Sequence, residues 1–299
     1  MPPKSFFAVL ILLIAGGVAA MFGTLGSGVN LSSVVGLWSD TVRDADQIGM
    51  RLTRVGDSGE MRIGAELARS MASHEDAAAT AYVTGVAQAL LPHIRRRGIH
   101  YQFRVIESGD INAFALPGGQ IFVTAGLLDF AESEAELAAV LGHEISHVDL
   151  RHCIERYQYQ VTLKKAGVPD DLAWLAETAH HLATMGFSQD QEREADAQGE
   201  KLTIESGYDP NAAGALFSRM AIRFGEASPP PAKTPAGEVT DAIGGALGSY
   251  FRTHPPSEER ARAMRGMAAR YRDAFYVGKE NLRRRIPRSR QEFPGEFGS

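Results

Sequence analysis

The feature that most constrains this chain is the pattern H-E-x-x-H within residues 132–152. Apolar residues around the pattern recur at spacings of three and four, which predicts a helix. Positions four apart lie on one helix face, so His143 and His147 can present two imidazoles to a single Zn²⁺. Glu144 lies about 100° around that helix, where its carboxylate can take a proton from water at the metal.

A second acidic stretch, residues 188–196, offers the remaining ligand. Ser188 is the predicted N-cap of another helix, with acidic residues in its first turn. Glu192 and Asp196 are four apart, so one carboxylate can bind the metal while the other hydrogen-bonds a ligating imidazole. Two histidines and one carboxylate leave a position for water, which favours catalytic over structural zinc. The alternatives are incidental histidines and a solvated acidic helix start.

The composition excludes several other kinds of protein. The chain has 31 Lys and Arg against 36 Asp and Glu, a net charge of −5, which argues against a nucleic-acid binder. Its single cysteine, Cys153, excludes a disulfide framework and a multi-thiolate zinc site, and we interpret it as a small buried residue. A mean hydropathy of −0.16 excludes a polytopic membrane protein. Other histidines are predicted to lie off the metal-facing side or at the surface or core: His152, His180 and His181.

The N-terminus is typical of an exported protein. An uncharged apolar run, residues 6–22, follows Lys4, and its 17 residues are barely long enough to span a bilayer as a helix. We predict a signal peptide or membrane anchor over residues 1–22, with small residues 18–20 as the candidate cleavage site. The remainder would then be periplasmic, or anchored to the cytoplasmic membrane with its catalytic domain outside. A buried core helix is the alternative.

The rest of the sequence predicts a Gly- and Ser-rich linker, one domain and a tail, over residues 23–39, 40–278 and 279–299. The tail is basic, then Pro- and Gly-rich, and we interpret it as solvated, with contact to anionic lipid as the weaker alternative. Four prolines within residues 225–249 predict a loop or lid. The predicted helices are residues 60–73, 76–96, most of 133–225, and 257–272; the predicted strands are 100–106, 111–116 and 120–124.

An ordered set of motifs resembles a known family. The set is N-A-F-A-L-P-G-G at residues 112–119, then Gly-Leu at 126–127, the H-E-I-S-H helix and the E-x-x-x-D pair. It resembles the HtpX/BepA-type zinc metallopeptidases, family forty-eight of the metallopeptidases, over about residues 60 to 270. The family also includes CAAX prenyl proteases, but the lack of several membrane spans favours a BepA-like branch with a soluble catalytic domain. Gln189 departs from the family, in which many members carry Arg, and this affects a local ion pair rather than the metal ligands.

The resemblance implies an α+β, zincin-like fold that is mostly helical, with a small three- to four-stranded sheet bordering the active-site cleft. It implies a gluzincin endopeptidase in which His143, His147 and Glu192 bind Zn²⁺. Glu144 would be the general base, and Asp196 would lie behind the ligands.

The resemblance also implies roles for two further segments. The strand over residues 120–124 and the preceding segment would border the cleft with an exposed edge for extended substrate, through Asn112, Ala113, Phe114, Gly118 and Gly119. An ordinary hairpin around Pro-Gly-Gly is the alternative. His254 would bind zinc in a resting state and Arg260 would stabilise the oxyanion. The alternatives are a loop histidine before proline and an arginine in a helix's first turn.

The expected function is therefore zinc-dependent peptide hydrolysis outside the cytoplasmic membrane. The expected substrates are unfolded or misfolded polypeptides, in envelope protein quality control. A zinc-binding chaperone or assembly factor with little proteolysis is the alternative, although an intact Glu144 argues against a degenerate protease. A prenyl-protein processing enzyme is disfavoured because the chain lacks a multi-helix membrane chamber.

Overall fold

The computed structural model describes residues 55–71, 74–164, 178–180, 182, 186–224, 254, 263–264, 266–269, 271 and 273–298. The predicted export segment and linker lie outside the described residues, as do Arg260, His181 and all of residues 225–256 except His254. Within the described ranges, no helix combines the length and apolarity needed to cross a membrane. The predicted division of the chain into segments stays a prediction.

Two N-terminal helices pack beside the sheet: α1, Asp57–Ser70, and α2, Ala77–Leu90. Asp76 caps α2 by accepting hydrogen bonds from two backbone N–H groups of its first turn. The helix ends earlier than its predicted range, residues 76–96, and continues only as a 3-10 turn, Leu91–His93. Pro92 explains the early end, because its ring nitrogen has no hydrogen to donate within a helix.

The sheet has three strands in the order β1-β3-β2. They are β1, Gln102–Ile106; β2, Ala113–Leu116; and β3, Gln120–Thr124. β1 runs parallel and β2 antiparallel to β3. The predicted α+β class with a small sheet is confirmed, but the expectation that β3 forms an exposed edge is wrong. β3 is paired on both sides, and β2 is an outer strand.

Each face of the sheet contributes to a separate apolar cluster, because side chains alternate along a strand. Ile121 and Val123 of β3 face the main core, which also includes residues of α2 and of the H-E-x-x-H helix described below. Phe122 faces a smaller cluster and stacks on Phe114 with ring centroids 5.0 Å apart. Leu67 of α1 belongs to that smaller cluster.

In the described part of the chain, the sheet is followed by helices α3, Ala125–Phe130; α4, Glu134–Asp149; α5, His152–Lys164; α6, Gln189–Glu205; and α7, Ala212–Phe224. Every residue of α4 is buried. Gly142 of α4 meets Gly199 of α6 so closely that a Cβ on Gly199 would lie 2.7 Å from the backbone nitrogen of His143. This pair of glycines lets α4, which carries His143 and His147, approach α6, which carries Glu192 and Asp196.

The C-terminal residues fold back onto the domain as β4, Phe275–Tyr276; α8, Lys279–Arg284; and β5, Phe297–Gly298. Asn281 and Leu282 are buried, and the backbone N–H of Arg288 donates to Glu134 Oε1 at 2.9 Å. The prediction of a solvated tail is therefore wrong for this segment. Buried Glu134 provides the physical reason, since it also accepts hydrogen bonds from Tyr82 and Tyr208.

Candidate metal centre

Helix α4 presents its two histidines on one face, as their spacing predicts. Ser133 caps the helix by accepting from the backbone N–H of Glu136. The Nε2 atoms of His143 and His147 lie 3.0 Å apart, and both side chains are almost completely buried. Two lone pairs from one helix therefore converge on one point.

Helix α6 adds a carboxylate to that point. Ser188 is its N-cap, as predicted, and forms a reciprocal capping box with Gln191. The capped first turn places Glu192 with Oε2 3.5 Å from His143 Nε2 and Oε1 3.6 Å from His147 Nε2.

His254 supplies a fourth donor from outside both helices. Its Nδ1 lies 3.1 Å from His143 Nε2 and 3.0 Å from Glu192 Oε1. One ligand atom from each of His143, His147, Glu192 and His254 lies within 4.8 Å of the others. The chain thus assembles three imidazoles and a carboxylate in a buried cluster.

The donor spacing fits a zinc ion. Tetrahedral ligands at zinc's usual bond lengths of about 2.0–2.1 Å lie roughly 3.3 Å from one another. The contacts given above range from 3.0 to 3.6 Å. Nitrogen and carboxylate oxygen are also the donor types that zinc accepts. The cluster is therefore a candidate zinc centre, with His254 at the fourth corner.

Glu144 and Asp196 border the donors without joining them. Asp196 Oδ1 lies 3.0 Å from Nδ1 of His143, the ring atom opposite the cluster. Glu144 is fully buried, and its Oε1 lies 3.2 Å from His254 Nε2. His254 therefore occupies both the fourth donor position and the space beside Glu144.

The electrostatics of the cluster are those of a site built for a cation. Burial opposes protonation of His143, but hydrogen bonds with Asp196 and Glu192 outweigh it and raise its pKa to about 10. Burial similarly opposes ionisation of Glu192, yet His254 and His143 hold the pKa of this carboxyl well below its usual range. Burial and the neighbouring imidazoles lower the pKa of His147, favouring the neutral ring that metals bind.

His152 is not one of the four donors, but it lies against the donor His147, a contact that the sequence did not predict. Its Nδ1 is 3.0 Å from Nδ1 of His147. An ideal continuation of α4 would separate the two rings, but α4 ends at Asp149, and Arg151 adopts a left-handed backbone with φ 73°. The reversal starts α5 at His152 and returns its ring to the site. No local periodicity signals such a reversal.

Phe187 is a second residue that the sequence did not indicate. Its ring stacks on His147 with centroids 3.7 Å apart and an interplanar angle of 15°. The guanidinium of Arg156 lies over the Phe187 ring at 4.0 Å. The imidazole is thereby covered on one face by an aromatic residue immediately before the α6 N-cap.

The predicted substrate strand is only partly available for pairing. Thr124 N donates to Asn112 O, so alternation along the antiparallel ladder directs the backbone groups of Ala113 and Ala115 away from β3. The Cys153 thiol approaches the Ala115 carbonyl at 3.6 Å. Asn112 Oδ1 is buried and accepts no hydrogen bond within the described part of the chain.

Gly118 and Gly119 form a buried turn rather than an exposed edge. Both have positive φ, and the N–H of Gly118 donates to Glu60 Oε1 at 3.1 Å. A Cβ on Gly118 would lie 2.5 Å from Met61 Cα, so glycine is required for close packing on α1.

Comparisons with known proteins agree with this arrangement. The sequence profile of peptidase family M48 matches residues 77–268. The mitochondrial metalloendopeptidase OMA1 of Arabidopsis thaliana is 32% identical over 186 residues, 60% of this chain and 33% of that protein. The beta-barrel assembly-enhancing protease of Escherichia coli (strain K12) is 25% identical over 287 residues, 87% of this chain and 55% of that protein. The metalloprotease LoiP of the same strain is 30% identical over 193 residues, 61% and 68% respectively. The chain thus spans about a third of the length of the Arabidopsis protein and about half of the length of the beta-barrel assembly-enhancing protease.

Proposed function

The chain belongs to peptidase family M48, and from that premise we propose that it is a zinc-dependent endopeptidase. The observation that carries the proposal is the convergence of His143, His147 and Glu192 on one point beside a buried Glu144. Those three side chains would hold the zinc, which when bound polarises a carbonyl and lowers the pKa of water toward ~7.

The chain's own residues account for positioning and proton transfer. Asp196 accepts a hydrogen bond from Nδ1–H of His143 and so directs the Nε2 lone pair toward the other donors. Glu144 takes a proton from the attacking water and returns it to the leaving amine, for which a buried carboxylate at the donor cluster is suited. Arg260 stays the proposed stabiliser of the oxyanion.

We further propose that His254 keeps the centre closed at rest. Its Nδ1 meets Glu192 while its Nε2 meets Glu144, so one ring occupies the places that water and substrate carbonyl need. Productive binding then requires that His254 withdraw from the donors.

Extended substrate would pair with the outer edge of β2. The outward backbone groups of Ala113 suit a peptide main chain, which offers the same groups whatever its sequence. The Ala115 carbonyl already meets the Cys153 thiol and both alanines are buried, so pairing there requires that the edge be uncovered first. The side chain of Asn112 adds an acceptor at the start of that edge, because its Oδ1 is buried without a partner in the described ranges. Phe114 would contribute through its backbone position, since its ring packs inside.

The setting we propose is quality control of exported polypeptides. The apolar run at residues 6–22 supports export or anchoring, with the catalytic domain outside the cytoplasmic membrane. One relative is named a beta-barrel assembly-enhancing protease, which supports a role in the quality control of proteins during their assembly. Unfolded or misfolded polypeptides are therefore the proposed substrates.

The deciding experiment compares the wild type with Glu144→Gln, measuring bound zinc and cleavage of an unfolded model protein. We expect one zinc per chain in both proteins and cleavage, sensitive to chelator, only in the wild type. Glu205→Gln, a half-exposed glutamate at the far end of α6, is the matched control and should cut normally. Cleavage by Glu144→Gln would refute the assigned base. Zinc binding without cleavage by the wild type would instead favour the chaperone or assembly-factor function.

A further inference from the structure

We propose that His152 is a positioning residue that fixes His147 for metal binding, as one member of a chain of hydrogen bonds ending at Glu194. His152 Nδ1 lies 3.0 Å from His147 Nδ1, and His152 Nε2 lies 3.2 Å from Glu194 Oε2. The His152 side chain is buried, whereas the Glu194 side chain is 64% exposed. These hydrogen bonds therefore connect the donor cluster to the protein surface.

The protons can be placed in only one consistent way in the neutral rings. His147 turns Nε2 toward the other donors, so its proton resides on Nδ1 and is donated to His152. His152 accepts at Nδ1, so its own proton resides on Nε2 and is donated to the Glu194 carboxylate. Each ring nitrogen then has one role, and the tautomer of His147 is the one that exposes Nε2 to a metal.

His152 does for His147 what Asp196 does for His143. Asp196 meets Nδ1 of His143 at 3.0 Å, directly from α6. Glu194 lies on the same helix but reaches His147 only through the interposed imidazole. Both ligating histidines are thus oriented from α6, one by a carboxylate and one by a histidine.

The stacking of Phe187 complements this hydrogen bond. The ring-to-ring contact at 3.7 Å restricts tilting of the His147 imidazole, but a stack alone permits rotation within the ring plane. The hydrogen bond to His152 removes that rotation, because Nδ1 must stay directed at its acceptor. Losing the acceptor should therefore loosen the ligand without removing it.

The test, which rests on the proposed zinc centre, measures zinc affinity of the purified full chain by chelator competition. His152→Leu should weaken zinc binding about 10–100-fold, the usual cost of losing such a partner. His152→Asn should recover most of the loss, because its Oδ1 can accept the same hydrogen bond. The cobalt-substituted Leu variant should also show an altered visible absorption spectrum. His93→Leu is the control, because His93 lies outside the cluster and pairs instead with Glu205, with 3.5 Å between His93 Nδ1 and Glu205 Oε2.

A second measurement needs no variant. Nitrogen-15 spectra of the zinc-loaded wild type should place the His147 proton on Nδ1 and the His152 proton on Nε2. A His152 proton on Nδ1 would overturn the inference, as would equal loss in the Asn and Leu variants or unchanged affinity in the Leu variant. Failure of the wild type to bind zinc would instead overturn the proposed function, so the two failures are distinguishable.

Discussion

Glu192 is the side chain on which the charge of the metal centre depends. It lies within 3.6 Å of ring nitrogens from His143, His147 and His254, and these cationic or polar neighbours keep it ionised despite burial. A neutral replacement of the same shape would remove the carboxylate that meets all three rings. Asp196 and Glu144 would still meet His143 and His254 from outside the donor cluster.

Glu192→Gln should therefore lose stoichiometric zinc, because an amide neither supplies the charge nor binds zinc as a carboxylate does. Metal analysis after dialysis measures this. Asp190→Asn, an exposed acid in the same first turn, is the matched control and should retain zinc. Equal zinc content in the Gln variant and the wild type would remove Glu192 from the ligand set.

His254→Ala should raise the rate of peptide cleavage, because the ring that lies 3.2 Å from Glu144 and against Glu192 would no longer occupy the fourth position. Zinc content should stay at one per chain, since two imidazoles and a carboxylate remain. Initial rates on an unfolded substrate decide the matter. A rate that falls while zinc is retained would mean that His254 takes part in the reaction rather than blocking it.

Glu200 gives the folded protein a distinct pH dependence. Burial, with a contribution from Asp196, raises its pKa to about 8, whereas an unfolded chain releases that proton at about pH 4.3. Between these values the folded state keeps a proton that the unfolded state has lost, so the free energy of unfolding falls as pH rises, by at most about 1.4 kcal/mol per pH unit.

Glu200→Gln should remove that slope and be more stable than the wild type at the upper end of this range. Denaturant titrations at several pH values measure it. Glu205→Gln, with its half-exposed side chain on the same helix, should leave the slope unchanged. Parallel pH curves for wild type and Glu200→Gln would contradict the buried, protonated state of Glu200.

The crossing of α4 and α6 sets the distance between histidines and carboxylate. Gly142 and Gly199 permit it, since a Cβ on either would meet the backbone of the other helix within 2.8 Å. The capping box at Ser188 then fixes where α6 begins, and so which turn Glu192 occupies. The backbones of α4 and α6 therefore set the distance between the histidines and Glu192.

Gly199→Ala should push the helices apart, costing about 1–3 kcal/mol of stability and weakening zinc binding, because Glu192 moves with α6. Gly214→Ala on α7 is the control: a Cβ there meets nothing within 4 Å, and we expect stabilisation of about 0.5–1 kcal/mol. Thermal unfolding and chelator competition read the two effects separately. An unchanged zinc affinity in Gly199→Ala would show that the crossing does not control the centre.

The C-terminal segment joins the first turn of α4 to the rest of the domain. Glu134 accepts hydrogen bonds from Tyr82, Tyr208 and the backbone N–H of Arg288. Helix α2, the turn that follows α6 and the C-terminal segment therefore meet at one buried carboxylate. Tyr276 adds an apolar contact, since its ring packs edge-on against Phe297 at 5.0 Å. Residues 276–297 therefore complete the packing around Glu134 and Tyr276.

Deleting residues 279–299 should lower stability by a few kcal/mol, because it strips one partner from buried Glu134 and exposes Tyr276, each effect costing about 1–3 kcal/mol. The thermal midpoint of unfolding measures it. Arg283→Ala removes only an exposed ion pair with Glu280 and should change stability by less than about 1 kcal/mol. A truncated chain as stable as the wild type would make the segment dispensable for the fold.

Local sequence determined the parts of this protein that depend on helix geometry alone. The i, i+4 pairs His143–His147 and Glu192–Asp196 follow from helical periodicity within one segment, and the cap at Ser188 follows from a serine placed before an acidic first turn. Such spacing is set by the backbone hydrogen bonds of a single helix, which do not depend on what packs against it.

Only the tertiary structure decided which distant groups meet that helix. It placed His254 beside Glu144, returned His152 to His147, put β3 at the centre of the sheet, and docked the chain end on Glu134. These contacts depend on where the chain reverses, as at Arg151 with its φ of 73°, and on which buried polar group needs a partner. Neither the chain reversals nor the partners of buried polar groups follow a sequence period, because both are set only when separate elements pack together.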